Sequence, residues 1–245
     1  MRNDNVFIFD SVEKLAAFFT EKLADFTQTR PDGAHASVAL SGGSTPRAVF
    51  AYLSKQQHNS VLWNKVKLFW GDERCVPPDH AESNYRMTKE SLLSHVPLPV
   101  ENIFRIQGED DPHAEAIRYS KLVAGHVPFF NNQPVFDLVM LGLGEDGHTA
   151  SIFPPDMHLF DSPNLFVAVQ NPYSGQHRIT ATGRVINHAK HVFFIVSGTS
   201  KAEMVARIIN KREGFDRHPA SKVKPLGGEP FWLLDQEAAS SLRVA

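Results

Sequence analysis

The chain has 245 residues, of which 42% are hydrophobic, and a formal net charge of −2 at pH 7. This length suits one large α/β domain or two small ones, and the hydrophobic content is ordinary for a globular protein. The nearly balanced charge and the lack of a long basic run argue against nucleic acid as a partner. No stretch approaches the ~20 apolar residues of a membrane-spanning helix, so we expect no membrane partner.

The cysteine content and the first residues indicate a compartment. The only cysteine, Cys75, excludes a disulfide within the chain, which fits a reducing environment. Residues 1–5 are polar and lead into a short apolar run that Asp10 interrupts, which is unlike a signal peptide. We therefore expect a cytoplasmic protein.

Strand-like and helix-like segments alternate from end to end, which predicts an α/β fold with a mainly parallel sheet flanked by helices. The predicted strands cover residues 6–9, 37–40, 66–70, 136–141, 165–169, 178–181, 192–196 and 231–234. The predicted helices cover about 12–26, 46–55, 84–94, 111–124 and 201–210, the first opened by a capping box of Asp10 and Glu13. No repeat or linker interrupts this order, so we expect one domain spanning residues 1–245.

The first candidate site follows the strand at 37–40 and reads Ser-Gly-Gly-Ser-Thr-Pro. Thr45 suits a helix N-cap and Pro46 the first helical position. Glycines let the backbone approach a ligand, and the N–H groups at a helix start favour an anion, typically phosphate. An ordinary capped helix start explains the same residues, so both interpretations stay open. The candidate ligands are Ser41, Gly42, Gly43, Ser44 and Thr45.

Three cations are further candidates for holding an anion. Arg74 closes the charged run 71–74 at the end of a predicted strand, where its guanidinium is placed to grip a phosphate or carboxylate. Arg178 and Lys201 lie at later strand–loop positions. A solvated surface charge is the alternative for each of them.

The most specific motif is residues 142–154, which read Gly-Leu-Gly-Glu-Asp-Gly-His-Thr-Ala-Ser-Ile-Phe-Pro after a buried strand. Asp146 and His148 stand two residues apart in this turn, and a histidine beside an acid supplies a proton acceptor near neutral pH. The three glycines also match the dinucleotide pattern G-x-G-x-x-G. Prolines at 154 and 155 stop a following helix, and no acid ends the next strand, so both features disfavour dinucleotide binding. A structural turn with Asp146 as a helix cap remains an alternative.

Other catalytic classes find little support in the sequence. None of the 12 histidines forms the zinc motif H-E-x-x-H, and one cysteine cannot build a cysteine-rich metal site, so we expect no metal. A serine nucleophile in a G-x-S-x-G elbow is missing, and no Walker motif is present.

Taken together, these segments resemble the 6-phosphogluconolactonase family in order and spacing, from about residue 40 to about residue 210. The resemblance rests on residues 41–46, 71–77, 83–86, 142–154 and 178–180. It implies a Rossmann-like α/β fold related to glucosamine-6-phosphate deaminases and ribose-5-phosphate isomerases. It also implies hydrolysis of 6-phospho-D-glucono-1,5-lactone to 6-phosphogluconate, the second step of the oxidative pentose phosphate pathway, without metal or nucleotide cofactor.

By the same resemblance, His148 is the catalytic base and Asp146 its acidic neighbour, while the glycine loop with Arg74, Arg178 and Lys201 holds the substrate. The partner is then a small phosphosugar lactone, and we expect a monomer or a weak homodimer. A lactone is an activated ester, so a base that takes a proton from water suffices without a covalent nucleophile. The run Arg-Ile-Thr-Ala-Thr at 178–182 departs slightly from the family's usual Arg-Ile/Leu-Thr-Leu-Thr.

Two alternatives remain. The related deaminases carry a glutamate after the histidine motif and Met-Asp-Glu-Tyr where this chain has Gly-Asp-Glu-Arg at 71–74, and both differences favour the lactonase. A non-catalytic sugar-phosphate sensor would carry a DNA-binding domain, for which the chain has no spare length or basic segment. The presence of His148 also favours an enzyme.

Overall fold

The computed structural model describes residues 4–55, 61–131 and 133–242. Its twelve strands are β1 Val6–Phe9, β2 Ala36–Leu40, β3 Val66–Trp70, β4 Asp72–Arg74, β5 Ile103–Phe104, β6 Phe129–Phe130, β7 Gln133–Pro134, β8 Leu138–Leu141, β9 Phe166–Gln170, β10 His177–Ala181, β11 His191–Val196 and β12 Phe231–Asp235. Its α-helices are α1 Val12–Gln28, α2 Ser44–Lys55, α3 Asn84–Ser91, α4 Pro112–His126, α5 Gly183–Ile186 and α6 Ala202–Ile209. Short 3₁₀ turns join several of them, the longest being Pro154–Asp161.

Seven strands form the central sheet in the order β1-β12-β11-β8-β2-β3-β5, and every neighbouring pair is parallel. The sequence explains this arrangement, because β2, β8 and β11 are almost continuous apolar runs, as strands covered on both faces require. The predicted mainly parallel sheet flanked by helices is thus confirmed. Within the described residues, no helix is both long and apolar enough to cross a membrane.

A second, three-stranded antiparallel sheet, β4-β10-β9, was not predicted. Its strand β4 begins only one residue after β3 ends, because Gly71 turns the chain out of the parallel sheet. The residues 72–74 that read as a charged turn therefore pair with β10, in a register that sets Arg178 opposite Arg74. This pairing decides the geometry of the site described below.

Several predicted boundaries shift by local chemistry. Ser11, not Asp10, caps α1, since its hydroxyl oxygen accepts the N–H of Lys14 at 3.3 Å. Helix α2 begins at Ser44 rather than at Pro46, so Thr45 is not its N-cap. Helix α3 ends at Ser91 and strand β8 begins at Leu138, both shorter than predicted.

Candidate active site

The carboxyl ends of β8, β2 and β3, which are neighbours in the sheet, meet at one edge and surround a cleft of about 170 Å³. Such an edge is where open α/β sheets bind ligands. Five separated segments of the chain contribute to it. The residues that line it are Ser41, Gly42, Gly43, Asp72, Arg74, Asn84, Gly142, Leu143, Gly144, His148, Thr149, Ala150 and Arg178.

The loop after β2 brings backbone donors to this cleft. A side chain at Gly42 would collide with Asn84, since a Cβ there would lie 1.8 Å from the Asn84 Oδ1 atom. Gly43 has φ +111, a conformation that other residues rarely adopt. Helix α2 starts directly after it, and the N–H groups of Gly43, Ser44 and Thr45 have no acceptor among the described residues. This part of the cleft therefore suits an anion.

The loop after β8 is folded tightly around the side chain of His148. A Cβ at Gly144 would lie 2.0 Å from the His148 Nδ1 atom, so glycine is required for the imidazole to lie against the backbone. Gly147 has φ +83, and a Cβ there would meet the ring of His218. The loop is closed by two backbone hydrogen bonds, from Gly144 N to His148 O and from Gly147 N to Gly144 O. No α-helix follows, so Asp146 is not a helix cap.

Asp146 instead binds the histidine two residues later. Its Oδ1 atom accepts the backbone N–H of His148 at 3.0 Å and lies 2.6 Å from the imidazole Nδ1 atom. Burial raises the pKa of Asp146, but the hydrogen bonds from His148 and Tyr173 outweigh it and hold this pKa well below the usual range. A carboxylate oxygen only accepts, so Nδ1 carries the proton and Nε2 presents its lone pair.

Two further residues hold Asp146, and no sequence pattern predicts either of them. Tyr173 lies in the turn between β9 and β10, and its hydroxyl donates to Asp146 Oδ2 at 2.7 Å. The His218 Nδ1 atom donates to the backbone oxygen of Asp146 at 2.8 Å. His218 is half-buried. Both lie in polar loops far from residue 146 in sequence, where no local pattern indicates their contacts.

The two predicted arginines line the cleft side by side, because their strands pair in register. Neither forms an ion pair with a carboxylate among the described residues, and the Nε atom of each is buried without a partner. Arg74 donates to the backbone oxygen of Glu82 at 2.5 Å. Burial, together with the charge of Arg74, lowers the pKa of Arg178 despite the opposing effect of Asp72. Two adjacent guanidinium groups without a direct ion-pair partner favour a ligand with more than one negative charge.

Arg178 is held by Ser151 and Phe153, two members of the motif at 142–154. Its Nη1 atom lies 3.4 Å from the Ser151 Oγ atom, and the Ser151 hydroxyl donates to Asp72 Oδ2 at 2.7 Å. Its guanidinium also lies 5.8 Å from the ring centroid of Phe153. The charged motif at 71–74 thus contributes a buried carboxylate, Asp72, as well as an arginine.

Glu73, between these two, has a structural role. Its carboxylate is only 2% exposed and accepts the N–H groups of Asn84 and Tyr85 at the start of α3, at 2.7 and 2.8 Å. Burial raises its pKa, and these backbone hydrogen bonds partly oppose the rise. Glu73 therefore fastens α3 to β4 and keeps the Asn84 side chain beside the cleft.

Three predicted ligands do not line the cleft. Lys201 lies with its Nζ atom 3.8 Å from Glu145. The Thr45 hydroxyl lies 2.7 Å from the Ser197 hydroxyl. Ser44 borders an adjoining groove that shares Gly43, Arg74 and Asn84 with the cleft. Over the part of the chain described, no group of three or more histidine, cysteine or acidic side chains is arranged to hold a metal ion.

Comparisons with known proteins identify the family of this chain. Residues 10–232 match the family described as glucosamine-6-phosphate isomerases/6-phosphogluconolactonase. The chain is 40% identical to the 6-phosphogluconolactonase of Haemophilus influenzae over 206 residues, which cover 84% of this chain and 87% of that protein.

Solved structures give the same result. The crystal structure of devB protein superposes with a TM-score of 0.91 at 38% identity, covering 98% of this chain and 99% of that one. The 6-phosphogluconolactonase of Trypanosoma brucei gives 0.80 at 28% identity, with 98% of each chain covered. A monomeric glucosamine-6-phosphate deaminase, at 23% identity and a TM-score of 0.80, shares the fold over 97% of this chain and 99% of its own. The chain belongs to the glucosamine-6-phosphate isomerase/6-phosphogluconolactonase family.

Proposed function

We propose that this protein hydrolyses 6-phospho-D-glucono-1,5-lactone to 6-phosphogluconate, the second step of the oxidative pentose phosphate pathway. One observation carries the proposal: an imidazole oriented by a carboxylate shares a cleft with two arginines that form no ion pair with any carboxylate in the described part of the chain. The first group suits activation of water, and the second suits a phosphate dianion. The relatives named 6-phosphogluconolactonase support the same reaction.

His148 acts as the general base in this proposal. Its Nε2 atom takes a proton from water while the water oxygen attacks the C1 carbonyl carbon of the lactone. The tetrahedral intermediate then collapses, the bond between C1 and the ring oxygen breaks, and the imidazolium returns the proton to that oxygen. The products are one carboxylic acid and one hydroxyl group, so no covalent enzyme intermediate is needed. Asp146 keeps the imidazole in the required tautomer and stabilises the imidazolium that forms.

Phosphate binding falls to Arg74 and Arg178, together with the backbone donors of the loop at 41–45. A guanidinium offers parallel N–H donors that match phosphate oxygens, and the start of α2 adds partial positive charge. We retain Ser41, Gly42, Gly43, Ser44 and Thr45 as proposed ligands through their backbone or hydroxyl groups. Lys201 is the weakest member of the set, because it lies beside Glu145 rather than in the lining of the cleft.

The developing oxyanion on the C1 carbonyl needs hydrogen-bond donors. Backbone N–H groups of the loop at 142–149 and the side chain of Arg74 border the same cleft as His148. Preformed donors of this kind stabilise an oxyanion without reorganising during the reaction.

This chain lacks the glutamate that follows the histidine in the related deaminases. None of residues 149–154 is acidic, and buried Phe153 packs against the His148 ring with a centroid separation of 4.8 Å. An apolar ring at this place offers neither a proton nor a charge to the imidazole. This contact therefore favours the lactonase over amine release.

We further propose that one domain carries the whole site, because a single buried apolar cluster extends from Leu15 to Ala239. A cytoplasmic location is supported by the lone cysteine, Cys75, which is a free, half-buried thiol. We propose a monomer or weak homodimer as the oligomeric state.

The test is a pH-stat or coupled assay on freshly prepared 6-phosphogluconolactone, with a chelator present and no nucleotide added. The lactone hydrolyses unaided, so the rate without enzyme is subtracted. We expect rapid formation of 6-phosphogluconate and no ammonia from glucosamine 6-phosphate. Release of ammonia without lactone hydrolysis would reverse the choice between the two related activities.

A further inference from the structure

The carboxylate that orients His148 is itself held from outside its own loop. Asp146 uses Oδ1 for both hydrogen bonds to His148, and its Oδ2 atom accepts only the Tyr173 hydroxyl, at 2.7 Å, among the described residues. A carboxylate rotates easily about its last bond, because that torsion has broad minima. The plane of the carboxylate, and with it the plane of the imidazole, therefore depends on the donor to Oδ2.

The turn that carries Tyr173 is built to keep this hydroxyl in place. Asn171 accepts the N–H groups of Tyr173 and Ser174 on its side-chain oxygen, at 2.8 and 3.2 Å. Gly175, with φ +72, donates its N–H to the backbone oxygen of the same asparagine. Such Asx turns fix a loop locally without help from the rest of the protein. These hydrogen bonds fix the backbone at Tyr173, so its hydroxyl stays beside Asp146 although the side chain is exposed.

The tyrosine ring also meets the wall behind the histidine. Phe153 lies edge-on to the Tyr173 ring, with centroids 6.2 Å apart, and on another side it packs against His148 at 4.8 Å. The same phenylalanine receives the guanidinium of Arg178. The buried Phe153 ring therefore contacts Tyr173, His148 and Arg178. Arg178 belongs to β10, the strand that follows the turn of Tyr173.

We propose that Tyr173 is a positioning residue for the catalytic base, acting through its hydrogen bond to Asp146 Oδ2. Tyr173 does not line the cleft, so it acts on the reaction through Asp146 and His148 rather than on the substrate. This inference rests on the proposed function for its kinetic consequences, while the hydrogen-bond chain itself exists without substrate. The hydrogen bonds from His148 and from the Tyr173 hydroxyl lower the pKa of the Asp146 carboxyl. The carboxyl therefore stays ionised when the imidazole accepts a proton.

The kinetic test is Tyr173→Phe, which removes one oxygen and keeps the ring. The variant loses the free energy of one hydrogen bond to a charged group. We therefore expect kcat to fall about 5- to 20-fold, with KM within about twofold of the wild-type value. Tyr52→Phe is the matched control, because Tyr52 lies on α2 and does not line the cleft, and it should keep full activity. Equal kcat values for Tyr173→Phe and the wild type would overturn the proposal.

A double-mutant cycle separates positioning from general structure. In an Asp146→Asn background the hydroxyl no longer has a carboxylate to hold, so adding Tyr173→Phe should change kcat by less than about twofold. A merely structural role for Tyr173 predicts the same loss in both backgrounds, together with a lower Tm. That result would also overturn the proposal.

A third readout needs no substrate. In protein labelled with ¹⁵N at histidine, the Nδ1–H proton of His148 should give a sharp downfield signal in the wild type and in Tyr52→Phe. The signal should broaden in Tyr173→Phe, because a mobile carboxylate protects this proton less from exchange with water. An unchanged signal contradicts the role of Tyr173. Broadening in a protein that fails to hydrolyse the lactone supports that role and rejects the proposed function instead.

Discussion

The two ends of the parallel sheet differ in whether their charged side chains are paired. At the amino end, Asp137 is only 2% exposed and forms ion pairs with Arg30 and Lys190, the second at 2.8 Å. The N–H and hydroxyl groups of Ser37 donate to its other oxygen at 2.9 and 3.1 Å. At the carboxyl end, Arg74 and Arg178 lie together without a carboxylate partner among the described residues.

This difference separates charges that hold the fold from charges that await a ligand. Asp137 joins the beginnings of β2, β8 and β11, since Ser37 is in β2 and Asp137 and Lys190 directly precede the other two. Burial raises the pKa of Asp137, but Lys190, Ser37 and Arg30 outweigh it and hold the pKa below the usual range. A charged cluster whose members are all paired, as around Asp137, contributes to stability. A cluster without ion-pair partners, as at Arg74 and Arg178, contributes free energy only when a ligand binds it.

The largest expected effect lies at the carboxyl end, in His148→Asn. A general base contributes about 10²–10⁴ in rate, so kcat should fall by that factor, while folding and affinity for 6-phosphogluconate stay nearly unchanged. Steady-state kinetics, circular dichroism and product titration measure the three quantities. His95→Asn is the control, because this exposed histidine does not line the cleft. Near-wild-type kcat in His148→Asn would show that the histidine is structural.

At the amino end, Asp137→Asn should reverse this pattern. The substitution removes the charge-assisted hydrogen bonds of the buried carboxylate, so the free energy of unfolding should fall by about 3 kcal/mol. kcat at 25 °C should stay within about twofold of wild type, because additive, distant sites affect each other little. Urea unfolding measures the first quantity, with the exposed Asp25→Asn as control. An activity loss without destabilisation would contradict the proposed division between the two ends.

A smaller effect is expected for each arginine of the cleft. One charge-assisted hydrogen bond is worth ~1.5–3 kcal/mol, so Arg74→Ala or Arg178→Ala should lower kcat/KM by about 10- to 150-fold. The loss should be greater for the phosphorylated lactone than for gluconolactone, so the preference between them shrinks. Lys201→Ala should have the least effect of the three. Full retention of the preference in every variant would assign phosphate binding to the loop at 41–45 alone.

The smallest effect concerns pH and again compares the two ends. The pKa of Asp137 is lower in the folded protein than the ~3.9 of an unfolded chain. Its contribution to stability is therefore complete above that value and is lost as pH falls through the folded pKa. Urea unfolding between about pH 5 and pH 3 should show a shallower loss for Asp137→Asn than for wild type. Parallel curves would mean that other carboxyls account for the acid sensitivity.

The sequence predicted most of what a local pattern can carry. Apolar runs predicted six of the seven strands of the parallel sheet, all except the short β5. The motif around Asp146 and His148 predicted the pair that the structure brings within hydrogen-bonding distance. The turns after β2, β3 and β8 were recognised from glycines and charges at strand ends. Their meeting at one edge follows from the parallel topology itself.

The remaining features depend on contacts between distant segments. The pairing of β4 with β10 could not be read from Gly71 or from the charged run after it, since register is set by partners elsewhere in the chain. Tyr173 and His218 reach Asp146 from loops whose composition is merely polar. The capping error at Asp10 has another cause, because two neighbouring side chains, Asp10 and Ser11, were both competent to cap.

The register between Arg74 and Arg178 also links binding to folding. The two residues belong to segments far apart in sequence, and they become neighbours only when the hairpin of β9 and β10 joins β4. A dianion that touches both guanidinium groups must therefore stabilise this strand pairing by the same free energy that the pairing adds to its affinity. Because such long-range pairings form late, recovery of phosphosugar binding during refolding should report the closing of this long loop rather than the growth of secondary structure.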